Sequence, residues 1–275
     1  MRNSTQLKAK IRNVSQDKGI EAEVILRNFM LERFLERIAA SDYCEHFILK
    51  GWLLIASIVG IDTRSTMDMD TTIKGQPLVE SAIIKMINDI SAVPLDDSVT
   101  FAFQSIEEIH EDADYPGFRV SLDAVLDRTR QKMKIDITTG DFVTPREIEY
   151  SYNLMFEDRA IRIMAYNIET ILAEKFETII TRGVVNTRMR DFYDIYILTG
   201  TQKYDMDIFR AAVENTVTKR GTSRQTTEPL PIIRTVATST NMIDLWQKYQ
   251  KKNAYAAGVT WEMAIDALCG LGEAI

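Results

Sequence analysis

The sequence predicts an α/β protein in which a mixed sheet flanked by helices is followed by a mainly helical region. Three observations carry this. Strand-like segments recur between residues 47 and 156, helical apolar spacing precedes and interrupts them, and from Ile168 onward the pattern is helical with few strands. The polarity changes there too, which places a boundary near residue 165 and divides the chain into regions 1–165 and 166–275. With 275 residues and 45% hydrophobic content, the chain can bury a substantial core.

Taken in order, residues 4 to 17 read as a polar helix with scattered apolar positions, and Gly19 as its stop. The stretch EAEVILRNFMLERFLERIAA repeats apolar residues at helical spacing through Val24, Leu31, Phe34, Leu35 and Ile38, so it is a packing helix. Phe47 to Lys50 reads as a short strand, Gly51 opens an apolar helix, and TMDMDTTI reads as a second strand. Pro77 to Val93 is predicted helical. VTFAFQSIEEI, GFRVSLDAVLD, QKMKIDITTG and IEYSYNLMF then read as strands between turn residues, for a sheet of about five or six strands. Beyond them, ETILAEKFETIITRG carries an apolar stripe of Ile168, Ile171, Leu172, Phe176 and Ile179, and RMRDFYDIYIL is a second amphipathic helix.

Composition excludes several classes. The two cysteines, Cys44 and Cys269, stand far apart in no metal-ligand spacing, which points to reduced thiols and away from zinc or a disulfide framework. There is no Walker-type lysine loop, no Rossmann glycine pattern and no HExxH, and His46 and His110 belong to no nucleophile or metal set. The N-terminus has no apolar leader and the longest apolar run, Trp52 to Ile61, is too short to span a bilayer, so a soluble cytoplasmic protein is expected. A net charge of -7 argues against wholesale coating by nucleic acid, but the charge is uneven. Nine acids face Arg119 alone between Met86 and Leu126, whereas seven bases face Glu228 and Asp244 between Asn215 and Lys252. In WQKYQKKNAY aromatics alternate with bases, a pattern that suits either RNA contact or amphipathic packing.

The chemistry centres on Asp68 and Asp70. Side chains two apart on a strand point the same way, so the two carboxylates share one sheet face and repel unless a cation lies between them. Such a pair suits a divalent cation with hard oxygen chemistry, Mg²⁺ or Mn²⁺. In KMKIDITTG, Asp136 lies on the polar face of its strand and offers a third acid. Three carboxylates holding two metals form a clamp on the attacking and departing oxygens of a phosphoryl group. Gly51, at a helix start, lets backbone N–H groups approach a phosphate, and Arg64, Ser65 and Thr66 directly before the acids suit triphosphate contact or a polar capping loop.

In this order LKGW, TRSTMDMD, KIDI, a helix with AEK, and RMRDFYDIYIL resemble the AbiEii/AbiGii family of bacterial nucleotidyltransferase toxins, within the DNA polymerase β-like nucleotidyltransferase superfamily. The resemblance spans roughly residues 20 to 200 and implies a nucleotidyltransferase-like sheet, with the helical region completing an active-site cleft. It implies a toxin of an abortive-infection or toxin–antitoxin operon that moves a nucleotidyl group from a nucleoside triphosphate, in several relatives onto the acceptor end of transfer RNA. By resemblance, Asp68, Asp70 and Asp136 bind metal, and Asp136 acts on the acceptor hydroxyl as base or through the second metal. Lys50, Gly51, Arg64, Ser65, Thr66 and Lys175 bind the nucleotide, and Asp191 orients Lys175 or the acceptor hydroxyl. One position departs: Trp52 stands where the family usually carries a second glycine, which narrows the pocket.

The partners implied are a nucleoside triphosphate, an RNA acceptor and a cognate antitoxin, with no membrane. Two alternatives share the fold: a non-enzymatic nucleotide- or RNA-binding regulator, and a kinase-like phosphotransferase on the same metal site. If Lys175 grips triphosphate oxygens, Lys175→Met is expected to keep the fold because its stem is preserved. For an RNA acceptor, the expected backbone contacts are Lys219, Arg220, Arg224, Lys248, Lys251 and Lys252.

Overall fold

The computed structural model describes residues 3–60, 68–110 and 116–275. Helices α1 (Ser4–Lys18) and α2 (Ala22–Ala39) precede β1 (Phe47–Lys50), α3 (Gly51–Val59), β2 (Met69–Ile73) and α4 (Glu80–Ser91). Then follow β3 (Thr100–His110), β4 (Pro116–Leu126), β5 (Thr129–Thr139), β6 (Ile148–Asn153) and β7 (Ala160–Ala165). The remainder is helical: α5 (Ile168–Arg182), α6 (Met189–Thr201), α7 (Met206–Arg220), α8 (Ser223–Thr226), α9 (Pro229–Thr238), α10 (Thr240–Lys252) and α11 (Trp261–Gly272).

Two compact units result, one of residues 1–141 with 148–165 and one of residues 142–147 with 166–275. In the first, seven strands form one sheet in the order β3-β4-β5-β2-β1-β7-β6. The sheet is mixed, because β2 runs parallel to β5 and β1 parallel to β7 while the other neighbours are antiparallel. Helix α2 packs on β5 and β7, and its Phe29, Leu31 and Phe34 are fully buried, as is Ile135 of β5. Alternation on β5 explains why one face can be a core and the other a site: Met133, Ile135 and Ile137 are buried, while Arg130, Lys132 and Lys134 are exposed on the side that also carries Asp136.

The strand count exceeds the expected five or six because AIRIMA forms β7, the neighbour of β1. Its alternation of exposed Ala160 and Arg162 with buried Ile161 and Ile163 is short but regular. Strand β2 begins at Met69, so Asp68 sits on the bend immediately before it.

In the second unit, local chemistry sets the helix ends. Asn167 caps α5 by accepting from the Thr170 N–H at 2.8 Å, and Asp205 caps α7 through the Asp207 and Ile208 N–H groups. The Asn167 amide also donates to the Thr144 and Arg146 carbonyls, and Asn215 Nδ2 reaches Thr144 Oγ1 at 2.9 Å. Those bonds tie residues 142–147 into the helical unit. Phe192, Trp246 and Trp261 form its aromatic core, with ring centroids 5.1 Å (Phe192–Trp261) and 5.7 Å (Trp246–Trp261) apart. The aromatics of WQKYQKKNAY belong to that packing. Trp246 is buried with its indole N–H donated to the Val259 carbonyl, and the Tyr249 and Tyr255 hydroxyls bond each other at 2.9 Å.

Candidate active site

Register across the sheet assembles the first group of residues. Lys50 on β1 stands opposite Asp70 on β2, Asp70 beside Asp136 on β5, Asp136 opposite Arg119 on β4, and Arg119 opposite Glu107 on β3. Paired residues on neighbouring strands project from the same face, so five strands carry one row of charges with two acids adjacent at its centre. Asp68, two residues before Asp70, extends the acidic stretch. Burial, and then the neighbouring Asp136 carboxylate, push the Asp68 carboxyl above its ordinary range, against the pull of Arg119 and Lys134.

Asp70 is seated on the start of α3. Its Oδ2 accepts the Trp52 backbone N–H at 3.2 Å, so this part of the positive helix terminus faces a carboxylate of the chain itself. Gly51 makes the approach possible. Its φ is +64°, and a Cβ there would lie 2.1 Å from Asp70 Oδ2 and 2.7 Å from Asp70 Cβ, which no real side chain tolerates. Gly51 thus gives Asp70 room at the start of α3.

Arg119, which no sequence motif marks, holds Asp136 by a two-point fork, Nε to Oδ1 at 2.8 Å and Nη2 to Oδ2 at 2.7 Å. This pairing pushes the guanidinium still further up from its ordinary value. Lys50 donates to Thr138 Oγ1 at 2.8 Å and Asp141 Oδ2 at 2.7 Å, fixing the end of β5. A nucleotide role for Lys50 requires it to leave or share those partners. Arg64, Ser65 and Thr66, expected at the triphosphate, lie outside the described residues.

For a divalent cation, Asp68 and Asp70 supply the right donors: hard carboxylate oxygens, both half-buried, with Asp68 already resisting ionisation through burial and then the Asp136 carboxylate. Asp136 differs, since Arg119 already neutralises it. Among the described residues, no set of three acidic, histidine or cysteine side chains is gathered as a metal cage.

The second group lies within the helical unit. Lys175 on α5 places its ammonium 2.9 Å from Asp191 Oδ1 and 2.7 Å from Asp194 Oδ2, both on α6, and Arg188 Nε lies 2.7 Å from Asp191 Oδ2. Both aspartates are fully buried and the lysine is 11% exposed. Burial works to raise the Asp191 carboxyl, but Lys175 and Arg188 outweigh it and hold that group below its ordinary range. Asp191 and Asp194 together hold the Lys175 ammonium between α5 and α6. The same unit corrects the expected basic surface at one position. Arg220 pairs with buried Glu177, which also accepts from Thr181 and Thr222 at 2.9 Å each, so Arg220 fastens α7 to α5.

A mixed sheet with this acidic face has the nucleotidyltransferase-like fold. The chain is similar to the crystal structure of JHP933 from Helicobacter pylori, with a TM-score of 0.53 and 14% identity over 92% of each chain. It is also similar to a crystal structure of a candidate nucleotidyltransferase from H. pylori, with a TM-score of 0.52 and 14% identity over 92% of this chain and 95% of that one. At such identities the likeness is one of fold. Family membership comes from the sequence: the model of the nucleotidyl transferase AbiEii toxin family, of type IV toxin–antitoxin systems, matches residues 33–267, and the chain belongs to that family. No curated protein matches it. Among the described residues, no helix is long and apolar enough to cross a membrane.

Proposed function

We propose that the chain is a toxin that transfers a nucleotidyl group from a nucleoside triphosphate to an RNA acceptor, such as the acceptor end of a transfer RNA, and that a cognate antitoxin restrains it in the cytoplasm. The observation that carries this reading is the seat of Asp70: a positive-φ glycine and a helix N-terminus are both given over to placing one carboxylate beside Asp68 and Asp136. Asp68 and Asp70 hold a divalent cation, Mg²⁺ or Mn²⁺, which when bound supplies positive charge to the triphosphate oxygens. Asp136, positioned by Arg119, is the group suited to accept the proton of the acceptor hydroxyl. Lys175, held within its own unit by Asp191 and Asp194, is a triphosphate-binding candidate on the family resemblance, a role that requires it to leave or share those partners.

Incubation with labelled triphosphates and total cellular RNA tests the reaction type. Label transferred from the α position, abolished in Asp68→Ala and Asp70→Ala, is the expected result. Label transferred from the γ position means a phosphotransferase, and triphosphate binding without any product means a regulator.

A further inference from the structure

The Arg119–Asp136 pair, which positions the proposed base, also bears on how many cations the acid row can hold. Metal clamps of the two-ion kind keep each carboxylate facing a cation, and here the carboxylate at the centre of the row already faces one that belongs to the protein. Arg119 and Asp136 are direct cross-strand neighbours, and both oxygens of Asp136 are engaged by the guanidinium fork at 2.7 and 2.8 Å. Asp136 is 11% exposed and Arg119 34%, so the pair is partly shielded from solvent. Asp68, and then Glu107 opposite Arg119 on β3, add further negative neighbours that favour keeping the guanidinium in place. Guanidinium does not lose its proton in proteins, so this positive charge is permanent. A second divalent cation on Asp136 would have to share the carboxylate with that charge a few ångströms away.

We propose that Arg119 takes the place of a second metal ion: its guanidinium neutralises Asp136, so this sheet face holds a single divalent cation, at Asp68 and Asp70, and Asp136 is a positioned carboxylate. The inference rests on the proposed function in taking Asp68 and Asp70 as the cation's ligands. Arg119 is accordingly a positioning residue, acting through Asp136.

Mn²⁺ binding measured on the full chain, by calorimetry and by the disappearance of the free-ion paramagnetic resonance signal, tests this without turnover. The titration is run with Mn²⁺ alone and with an α,β-methylene triphosphate analogue present. Wild type is expected to bind one Mn²⁺ in this region, abolished in the Asp68→Asn/Asp70→Asn double variant and kept in Asp136→Asn. Arg119→Gln, which removes the charge, is expected to bind a second Mn²⁺, and adding Asp136→Asn to it removes that second ion. Arg119→Lys retains a positive charge and is expected to stay at one. Circular dichroism melting confirms that each variant is folded, and the wild-type and Asp136→Asn pair decides the matter even if Arg119→Gln does not fold. Two Mn²⁺ in wild type, falling to one in Asp136→Asn, would overturn the role of Arg119 while leaving the metal-dependent reading standing. No Mn²⁺ in wild type under either condition would overturn both.

Discussion

At the scale of single residues, Gly51 is the position where backbone and chemistry meet most tightly. Replacing it by alanine forces a Cβ into the left-handed region, at a cost of about 1–2 kcal/mol, and against Asp70. Since Asp70 cannot occupy the same space, Gly51→Ala is expected to abolish nucleotidyl transfer while lowering stability only modestly, measured by label transfer and urea unfolding side by side. Activity near wild type would mean that Asp70 need not sit where it does. The sequence made the glycine and the acid visible, but not their close approach. Gly51 directly follows a strand and Asp70 lies in one, and their approach depended on the antiparallel register of β1 and β2. Arg119 was hidden for the same reason. It sits in an ordinary alternating strand, GFRVSLDAVL, and its importance comes only from being level with Asp136.

At the scale of elements, α5 and α6 are joined through charge as well as through apolar packing. Spacing in RMRDFYDIYIL placed Asp191 and Asp194 on one helix face and so was informative, but it could not reveal that this face is fully buried against a lysine from another helix. The ion pair alters the expectation for Lys175→Met. Removing the ammonium leaves two buried carboxylates with less compensation, and removing one partner of such a pair costs about 3–5 kcal/mol. The variant is therefore expected to be strongly destabilised, with much of the stability recovered when Asp191→Asn and Asp194→Asn are added; thermal melts that stay at the wild-type midpoint would contradict this. Because the Asp191 carboxyl is held below its ordinary range, its contribution is present above the unfolded-state value near 3.8 and disappears as the pH falls through the lower folded-state value.

Helix α2 behaves in the opposite sense. Its apolar stripe was legible, but Glu32, Arg33, Glu36 and Arg37, which by composition belong on a solvated face, are buried. Partners distant in sequence make this tolerable: Asp97 takes Arg37, Glu157 takes Arg33, and the Met155 N–H donates to Glu32. Burial nevertheless pushes the Glu32 carboxyl from 4.5 up to about 7, against the pull of Arg33. A raised carboxyl makes the folded state bind the proton more tightly, so stability is greatest below the unfolded value of 4.5 and declines until about pH 7, by up to about 3 kcal/mol. Urea unfolding across that window should show the decline in wild type and a much flatter profile in Glu32→Gln. Parallel profiles would assign the pH dependence to another group.

At the scale of the whole molecule, the question is how a chain of net charge -7 engages a polyanion. Attraction must come from a local surface, and the structure separates two kinds of base within the stretch Asn215 to Lys252. Arg220 is committed to Glu177, so its removal acts on the fold. Lys248, Lys251 and Lys252 are instead exposed on α10, whose opposite side buries Met242 and Trp246 in the aromatic core. The lysines are thus carried on a firmly packed helix while their charges face solvent. If the acceptor is RNA and docks there, each phosphate that is no longer neutralised lowers the slope of log affinity against log salt by about 0.7 for a single strand and about 0.9 for a duplex. Replacing all three lysines by glutamine is expected to flatten the slope by about two for a single strand and nearer three for a duplex, weaken binding most at low salt, and leave the melting temperature and triphosphate binding unchanged. Arg220→Gln should do the reverse, lowering the melting temperature with little specific effect on the slope. Fluorescent transfer RNA titrated at several salt concentrations against the two variants makes the comparison. Superimposable curves for wild type and the triple-lysine variant would remove α10 from the acceptor surface and leave the nucleotidyl-transfer reading to stand on the acid row and its label-transfer test.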